Sequence, residues 1–248
     1  MRRSPDLRTL APVLCLGTLL LACAGKSAQE YFRQANTSLA RGNSFLALRQ
    51  FTRAIELDRS FGDAYFARGR VFFSTDRFGR ALLDYKTAAE LLPSSPDVFF
   101  ELGNAYQRMG DYRNAIEGYD RCVRLNPTYP NLYFERGNAR VALKEYEPAL
   151  EDFNEAIKGN TTSLAEAHSN RGVIEARFGQ HDAAVADFCK SLELNPDDPE
   201  AKVNLGAAYL ALGLRDQAKA MFLAALEDRD GLRDRGKKLI ETLDELAQ

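Results

Sequence analysis

Apolar and small residues recur along this chain with a spacing of 34 or 35 residues, separated by stretches rich in charged and polar side chains. The spacing is read most easily from glycine, which stands at Gly69, Gly103, Gly137, Gly172 and Gly206. Each glycine is followed twelve residues later by alanine and sixteen residues later by Tyr or Phe. A repeat of this length indicates stacked helical units, each with one face that only its neighbours cover.

The same pattern continues towards the N-terminus, where Ala35, Ala47 and Phe51 take the three positions. A further small residue follows each aromatic at a spacing of three, as Ala88 follows Tyr85. Small side chains allow two helices, A and B, to approach closely, and the aromatic ring fills the space beside them. The chain is therefore predicted to contain six copies of one two-helix unit.

This order of small, small, aromatic and small residues within 34 positions resembles the tetratricopeptide repeat (TPR). The resemblance implies an all-α fold, a right-handed TPR α-solenoid of six helix-turn-helix repeats plus a C-terminal capping helix. The repeats occupy residues 28–232, with implied boundaries of about 28–61, 62–95, 96–129, 130–164, 165–198 and 199–232. The implied capping helix covers 233–248 and carries an apolar stripe at helical spacing.

Prolines mark several helix ends. Asn126-Pro127 and Asn195-Pro196 are expected to end helix B in two repeats, because proline cannot continue a helix. Three further prolines are expected at the first position of helix A, namely Pro96, Pro130 and Pro199. The turn after the fourth repeat has one extra residue and no proline, which favours a looser junction there.

The N-terminus differs from the repeats. Arg2, Arg3 and Arg8 precede an apolar run that ends at residue 22, which is the pattern of a secretory signal peptide over 1–22. The ending Leu-Leu-Ala-Cys resembles the bacterial lipobox, and that resemblance implies cleavage before Cys23, lipidation of its sulfur, and a lipidated tether over 23–27. A plain signal peptide and an uncut signal anchor remain alternatives. By the same resemblance, Ala24 rather than Asp favours the outer membrane, facing the periplasm.

Charge and cysteine content argue against two features, a nucleic-acid-binding surface and a disulfide framework. Hydrophobic residues make up 45 % of the chain and the formal net charge is −2, so no global basic field points to nucleic acid. Cys122 and Cys189 lie in different repeats, 67 positions apart, and are expected to be free and at least half-buried.

No catalytic constellation is found in the sequence. His168 and His181 are the only histidines, and they take positions filled by Tyr133 and Tyr146 in the fourth repeat, which favours packing over metal binding. We therefore expect no enzyme activity, no metal, no cofactor and no small-molecule substrate.

The TPR resemblance implies that helix A residues line a concave groove. Phenylalanine occupies one such position in four repeats, and asparagine or arginine stands at or beside another. The candidate groove residues are Phe32, Phe66, Phe100, Phe134, Asn36, Arg70, Asn104, Asn138, Asn170 and Asn204. An amide donates to and accepts from a partner backbone whatever its sequence, and a phenylalanine adds apolar anchoring. The competing interpretation is that these phenylalanines pack between helices and are mostly buried.

A membrane-anchored scaffold that binds partner proteins is the predicted function. In architecture the chain resembles the pilotin-type lipoproteins of type IV pili, which implies a role in secretin or pilus assembly. The alternative is an envelope adaptor that docks proteases or peptidoglycan hydrolases, and an enzyme or ligand-binding platform is a third class that no residue supports.

Overall fold

The computed structural model describes residues 26–159 and 161–228, and within these ranges it contains twelve α-helices and no β-strand. Short turns join the helices. They are α1 (Ala28–Ala40), α2 (Ser44–Leu57), α3 (Gly62–Ser74), α4 (Phe78–Leu91), α5 (Pro96–Arg108), α6 (Tyr112–Leu125), α7 (Leu132–Ala142), α8 (Tyr146–Lys158), α9 (Leu164–Arg177), α10 (His181–Leu194), α11 (Pro199–Ala211) and α12 (Arg215–Asp228).

The helices form two compact units, unit 1 over Met1–Leu92 and unit 2 over Pro93–Gln248. In unit 1, α1 packs on α2 and α3 packs on α4, and α2 also contacts α3. Unit 2 repeats this scheme with the pairs α5/α6, α7/α8, α9/α10 and α11/α12, in which each second helix contacts the first helix of the next pair. Odd-numbered helices are therefore the A helices and even-numbered ones the B helices, and the predicted all-α TPR fold is confirmed.

Close contact between a glycine on helix A and a ring on helix B holds five of the six pairs together, and the first pair has Ala35 in place of the glycine. A Cβ atom added to Gly69 would lie 2.7 Å from Cε1 of Tyr85, and one added to Gly103 would lie 2.6 Å from Cε1 of Tyr119. Both rings are fully buried. The same contact joins Gly137, Gly172 and Gly206 to Phe153, Phe188 and Phe222. Glycine is thus required at these positions because the ring lies too close for a larger side chain, and not because of an unusual backbone conformation.

Most helix ends agree with the proline signals. Pro96 and Pro199 are the first residues of α5 and α11, and Asn126 and Asn195 are the C-caps of α6 and α10. The expectation for Pro130 is wrong, because α7 begins two residues later, at Leu132.

Asn131 is the reason for this difference. Its backbone is left-handed, with φ of 59°, and its side-chain oxygen accepts hydrogen bonds from Thr161 Oγ1 (2.6 Å), Thr162 N (3.0 Å) and Thr162 Oγ1 (2.9 Å). Asparagine tolerates this conformation better than most residues. The turn with the extra residue is therefore tied to the start of α7, where the sequence suggested a looser junction.

Buried arginine–aspartate pairs add a second link within three of the helix pairs. Arg68 on α3 donates two hydrogen bonds to the carboxylate of Asp84 on α4, each 2.8 Å long, and a third to Thr52 Oγ1 on α2 at 3.1 Å. Arg68 therefore connects α3 both to its own helix B, α4, and to the preceding helix B, α2. The same arrangement recurs around Arg136 (Asp152 and Asp120) and around Arg171 (Asp187 and Asn154).

Two other pairs use apolar residues at these positions. Leu205 on α11 and Met221 on α12 replace the arginine and the aspartate, and Leu102 with Gly118 does so in the pair α5/α6. A Cβ atom on Gly118 would lie 3.0 Å from the backbone nitrogen of Gly103, so the two helices meet backbone to backbone there.

Several predicted segments lie outside the described residues: the signal peptide 1–22, most of the tether 23–27 with Cys23, and the capping helix 233–248. Among the helices that are described, none is both long enough and apolar enough to cross a membrane. Cys122 and Cys189 are free thiols, one buried and one half-buried, as predicted.

The first prediction concerns the glycine–ring contact. Gly137→Leu should lower the free energy of unfolding by about 1–3 kcal/mol, because the Phe153 ring carbons lie 3.0–3.2 Å from the first added atom. Gly79→Leu is the matched control, since Gly79 is helical, exposed and has no atom within 4 Å of its added Cβ. Thermal unfolding followed by circular dichroism measures both, and equal melting temperatures would contradict the packing described here.

The second prediction concerns the buried ion pair. Arg68→Leu should lower the free energy of unfolding by about 3 kcal/mol, because the variant leaves Asp84 buried without its cation. This value is at the low end for buried ion pairs, because 18 % of the Arg68 side chain is exposed. Adding Asp84→Met reproduces the Leu205–Met221 combination of the last pair and should restore most of the loss. Urea unfolding of both variants tests this, and a double variant as unstable as the single one would refute it.

Candidate peptide-binding face

The four phenylalanines of the predicted groove pack against the buried rings of their own helix pairs. Phe66 lies 5.8 Å from Tyr85 between ring centroids, and Phe100 lies 5.8 Å from Tyr119. Phe32 and Phe134 make the corresponding contacts with Phe51 at 5.6 Å and Phe153 at 6.2 Å. These distances are typical of favourable aromatic pairs.

Exposure separates the four rings. Phe134 is only 9 % exposed and belongs to a core cluster with Phe153 and Ile174, so it offers a partner almost no surface. Phe32, Phe66 and Phe100 are half-buried. Packing therefore accounts fully for Phe134, and the other three rings remain partly accessible.

Asparagine and acidic residues form a polar face on the A helices of unit 2. The hydroxyl of Tyr119, on α6, donates hydrogen bonds to Asn104 Oδ1 at 2.8 Å and to Gln107 Oε1 at 3.1 Å. Gln107 in turn donates to Glu135 on α7 at 2.9 Å, and Asn104 donates to Glu101 at 3.2 Å. One network thus joins α5, α6 and α7.

The two carboxylates of this network have no cationic partner among the described residues of unit 2. Burial raises the pKa of the Glu135 carboxyl, and the hydrogen bond from Gln107 opposes that shift. The pKa of Tyr119 is also raised, first by burial and then by the charges of Glu135 and Glu101, so its hydroxyl stays protonated as a donor. Burial thus disfavours the charged form of Glu135, and a bound cation would favour it.

The polar face continues onto α9 and α11. Asn170 Nδ2 donates to Asn138 Oδ1 at 2.9 Å, which links α9 to α7. Asn204 on α11 lines a small cleft of about 230 Å³ together with Val173 and His181. We define the helix-A face by Glu101, Asn104, Glu135, Asn138, Asn170 and Asn204.

Asn36 on α1 and Arg70 on α3, the two remaining candidates, are exposed in unit 1. Sequence reasoning missed Glu101 and Glu135, although their spacing of 34 residues was a usable signal. It also missed the arginine–aspartate pairs, whose members stand sixteen residues apart in three repeats.

The two histidines lie on the packed helices α9 and α10. His168 is buried, and its Nδ1 atom lies 2.9 Å from Oδ1 of Asp187 in the pair α9/α10. His181 is the first residue of α10 and lines the cleft that also contains Asn204. Within residues 26–159 and 161–228 no group of three or more His, Cys, Asp or Glu side chains is arranged to hold a metal ion.

Family comparisons agree with this geometry. Tetratricopeptide-repeat models match residues 69–110, 96–129, 130–158, 149–199 and 176–241. The chain is built of tetratricopeptide repeats. TPR scaffolds are generally non-catalytic modules for protein–protein interaction, and that general role applies to this TPR chain.

Solved TPR structures resemble the chain over most of its length. YrrB, described as a TPR protein with an unusual peptide-binding site, matches with a TM-score of 0.67 and 26 % identity over 76 % of this chain and 97 % of its own. MamA matches with a TM-score of 0.63 and 28 % identity over 70 % and 94 %. A tetratricopeptide repeat protein from Parabacteroides merdae gives 0.71 over 89 % of both chains, but at 18 % identity it shows the fold alone. Curated protein sequences gave no match.

Proposed function

We propose that this TPR protein is a lipid-anchored scaffold of the bacterial envelope that binds a segment of a partner protein on the helix-A face. The observation that carries the proposal is the row of amides and carboxylates on α5, α7, α9 and α11. The two carboxylates of this row, Glu101 and Glu135, have no cationic partner in the described part of unit 2. The role of YrrB, a peptide-binding TPR protein by its description, supports the same use of the fold.

The chemistry of the face specifies the bound segment. Half-exposed amides such as Asn138 and Asn170 suit the backbone of an extended or helical peptide, because each amide can donate and accept. The two carboxylates favour lysine or arginine in that peptide, and unit 2 as a whole is acidic, with twenty-two Asp and Glu against fourteen Lys and Arg over residues 93–228. The partner segment is therefore basic.

Two kinds of partner follow from the envelope location. Our first candidate is a component of a secretin or a type IV pilus, and the second is a protease or peptidoglycan hydrolase. Both rest on likeness in architecture, and the identity of the captured protein separates them.

The third prediction tests the helix-A face. Replacing Asn104 and Asn138 by alanine in the full-length, membrane-bound protein should weaken partner capture by about thirtyfold, as expected for removal of about 2 kcal/mol at an interface hot spot. Affinity capture with quantitative mass spectrometry measures the change. A control variant carries Glu147→Ala and Glu151→Ala, which lie exposed on α8.

The outcome decides where the partner binds. The proposal holds if the asparagine variant loses the partner while the α8 control keeps it, with equal helical circular dichroism for both. Unchanged capture by the folded asparagine variant would place the interface elsewhere on the protein. Phe134 is unsuitable for this test, because its burial means that alanine there would damage the core.

The fourth prediction tests the anchor. We propose that Cys23 carries the lipid and that Ala24 directs the protein to the outer membrane, on its periplasmic side. Metabolic labelling with a palmitate analogue should mark the wild type, and Cys23→Ser should abolish the label. The control is Cys189→Ser, which removes a half-buried thiol and should leave the label intact. An unlabelled wild type in the soluble fraction would overturn the anchor.

A further inference from the structure

Unit 1 is basic, in contrast to unit 2. Residues 26–92 contain eleven Lys and Arg against seven Asp and Glu. Unit 1 therefore attracts a different class of ligand from the helix-A face, and the location of its unpaired positive charges decides which class.

These charges converge on a cleft of about 770 Å³ that is lined by residues of α1, α2, α3 and α4. We call it the basic cleft; its cationic lining residues are Lys26, Arg49, Arg53, Arg77 and Arg80. Glu56 is the one acidic residue of the lining, and it pairs with Arg53 at 2.8 Å. In the part of the chain that the structure describes, the other four cations have no carboxylate partner.

An aromatic ring holds two of the arginines in place. The guanidinium carbons of Arg77 and Arg80 lie 5.5 Å and 5.7 Å from the centre of the Phe72 ring. Such stacking orders a guanidinium group without neutralising it. Arginine binds phosphate oxygens through two parallel hydrogen bonds, so ordered and unpaired arginines form a suitable phosphate site.

Large apolar side chains stand exposed on the same cleft. Phe45 is 73 % exposed and Leu46 is 39 % exposed, and both line the cleft at the start of α2. A soluble ligand of phosphate type would leave these side chains in water. A lipid surface would accept them, because aromatic and apolar side chains beside basic ones suit the boundary between headgroups and acyl chains.

The position of Lys26 places the basic cleft near the proposed anchor. Lys26 is three residues after Cys23, and three residues of fully extended chain span at most roughly 11 Å. If Cys23 is lipidated, as proposed above, this lining residue lies within reach of the headgroups. This step rests on the proposed function, whereas the charge and the exposure of the cleft do not.

We infer that the basic cleft binds the phosphate headgroups of anionic lipids, with Arg49, Arg77 and Arg80 contacting phosphate and Phe45 entering the headgroup layer. Anionic phospholipid attracts each nearby Lys or Arg. The cleft is therefore a second attachment that orients unit 1 against its membrane.

The fifth prediction uses the full-length chain with Cys23→Ser, so that no lipid anchor contributes. This protein should bind vesicles of phosphatidylglycerol mixed with phosphatidylcholine at least about tenfold more tightly than vesicles of phosphatidylcholine alone. Arg77→Gln with Arg80→Gln should remove most of that preference, and Phe45→Ser should weaken binding to the mixed vesicles. Co-sedimentation measures each affinity as a ratio between the two vesicle types. Every variant carries the same N-terminus, including Arg2, Arg3 and Arg8, so the difference in this ratio between variants reports the cleft alone.

A matched control carries Arg33→Gln with Arg59→Gln, which removes the same charge from exposed positions of unit 1 outside the cleft and should keep the preference. If the first arginine pair lowers the melting temperature, Lys26→Gln with Arg49→Gln gives an independent test of the same cleft.

Three outcomes overturn the inference. The first is equal binding to both vesicle types, and the second is an equal loss of the lipid preference in the control and cleft variants. The third is binding of a polyglutamate peptide that depends on the same arginines, which would identify an acidic protein segment as the ligand in place of lipid. Because the tested chain lacks Cys23, these results are independent of the palmitate labelling, so each proposal fails separately.

Discussion

The contact between a glycine of helix A and an aromatic ring of helix B is the constraint on which the other features depend. At Gly69 and Gly103 even one added carbon would lie within 2.7 Å of the ring, so the two helices of a pair meet at a distance that no larger residue permits. The buried ring then supports the phenylalanine on helix A, as Tyr119 supports Phe100. Close packing of this kind transmits any change in side-chain volume to both helices.

The arginine–aspartate pairs and the apolar pairs solve the same packing problem in two ways. Arg136 contacts Asp152 on its own helix B and Asp120 on the preceding one, so a single side chain connects three helices. The pair α11/α12 has Leu205 and Met221 instead and makes no such polar link. A buried ion pair contributes little net stability over apolar packing, but it penalises any arrangement that leaves one charge alone.

Opposite charge divides the proposed functions between the two units. The helix-A face of unit 2 exposes amides and uncompensated carboxylates, which suit a basic peptide. The basic cleft of unit 1 exposes ordered guanidinium groups beside Phe45, which suit anionic headgroups. Under the two proposals, unit 1 attaches to the membrane and unit 2 binds the partner, because each surface repels the ligand of the other.

The repeats, the helix pairs and the core positions could be predicted from the residue spacing alone. Spacing of 34 or 35 residues identified Gly103 on α5 and Ala115 and Tyr119 on α6 as one set. Ala115 and Tyr119 are four residues apart, so they share a face of α6 whatever surrounds them. The start of α7 depended on tertiary structure, because the side chain of Asn131 is held by Thr161 and Thr162, about thirty residues further along the chain.

The binding surfaces also depended on tertiary structure. Repeat spacing placed Phe66, Phe100 and Phe134 at equivalent positions, yet only Phe134 is buried. The basic cleft combines residues of four helices with no common spacing. Exposure and charge pairing are set by which side chains meet across helices. The sequence therefore identified the scaffold from its period, whereas only the packed structure decided which side chains remain available to a ligand.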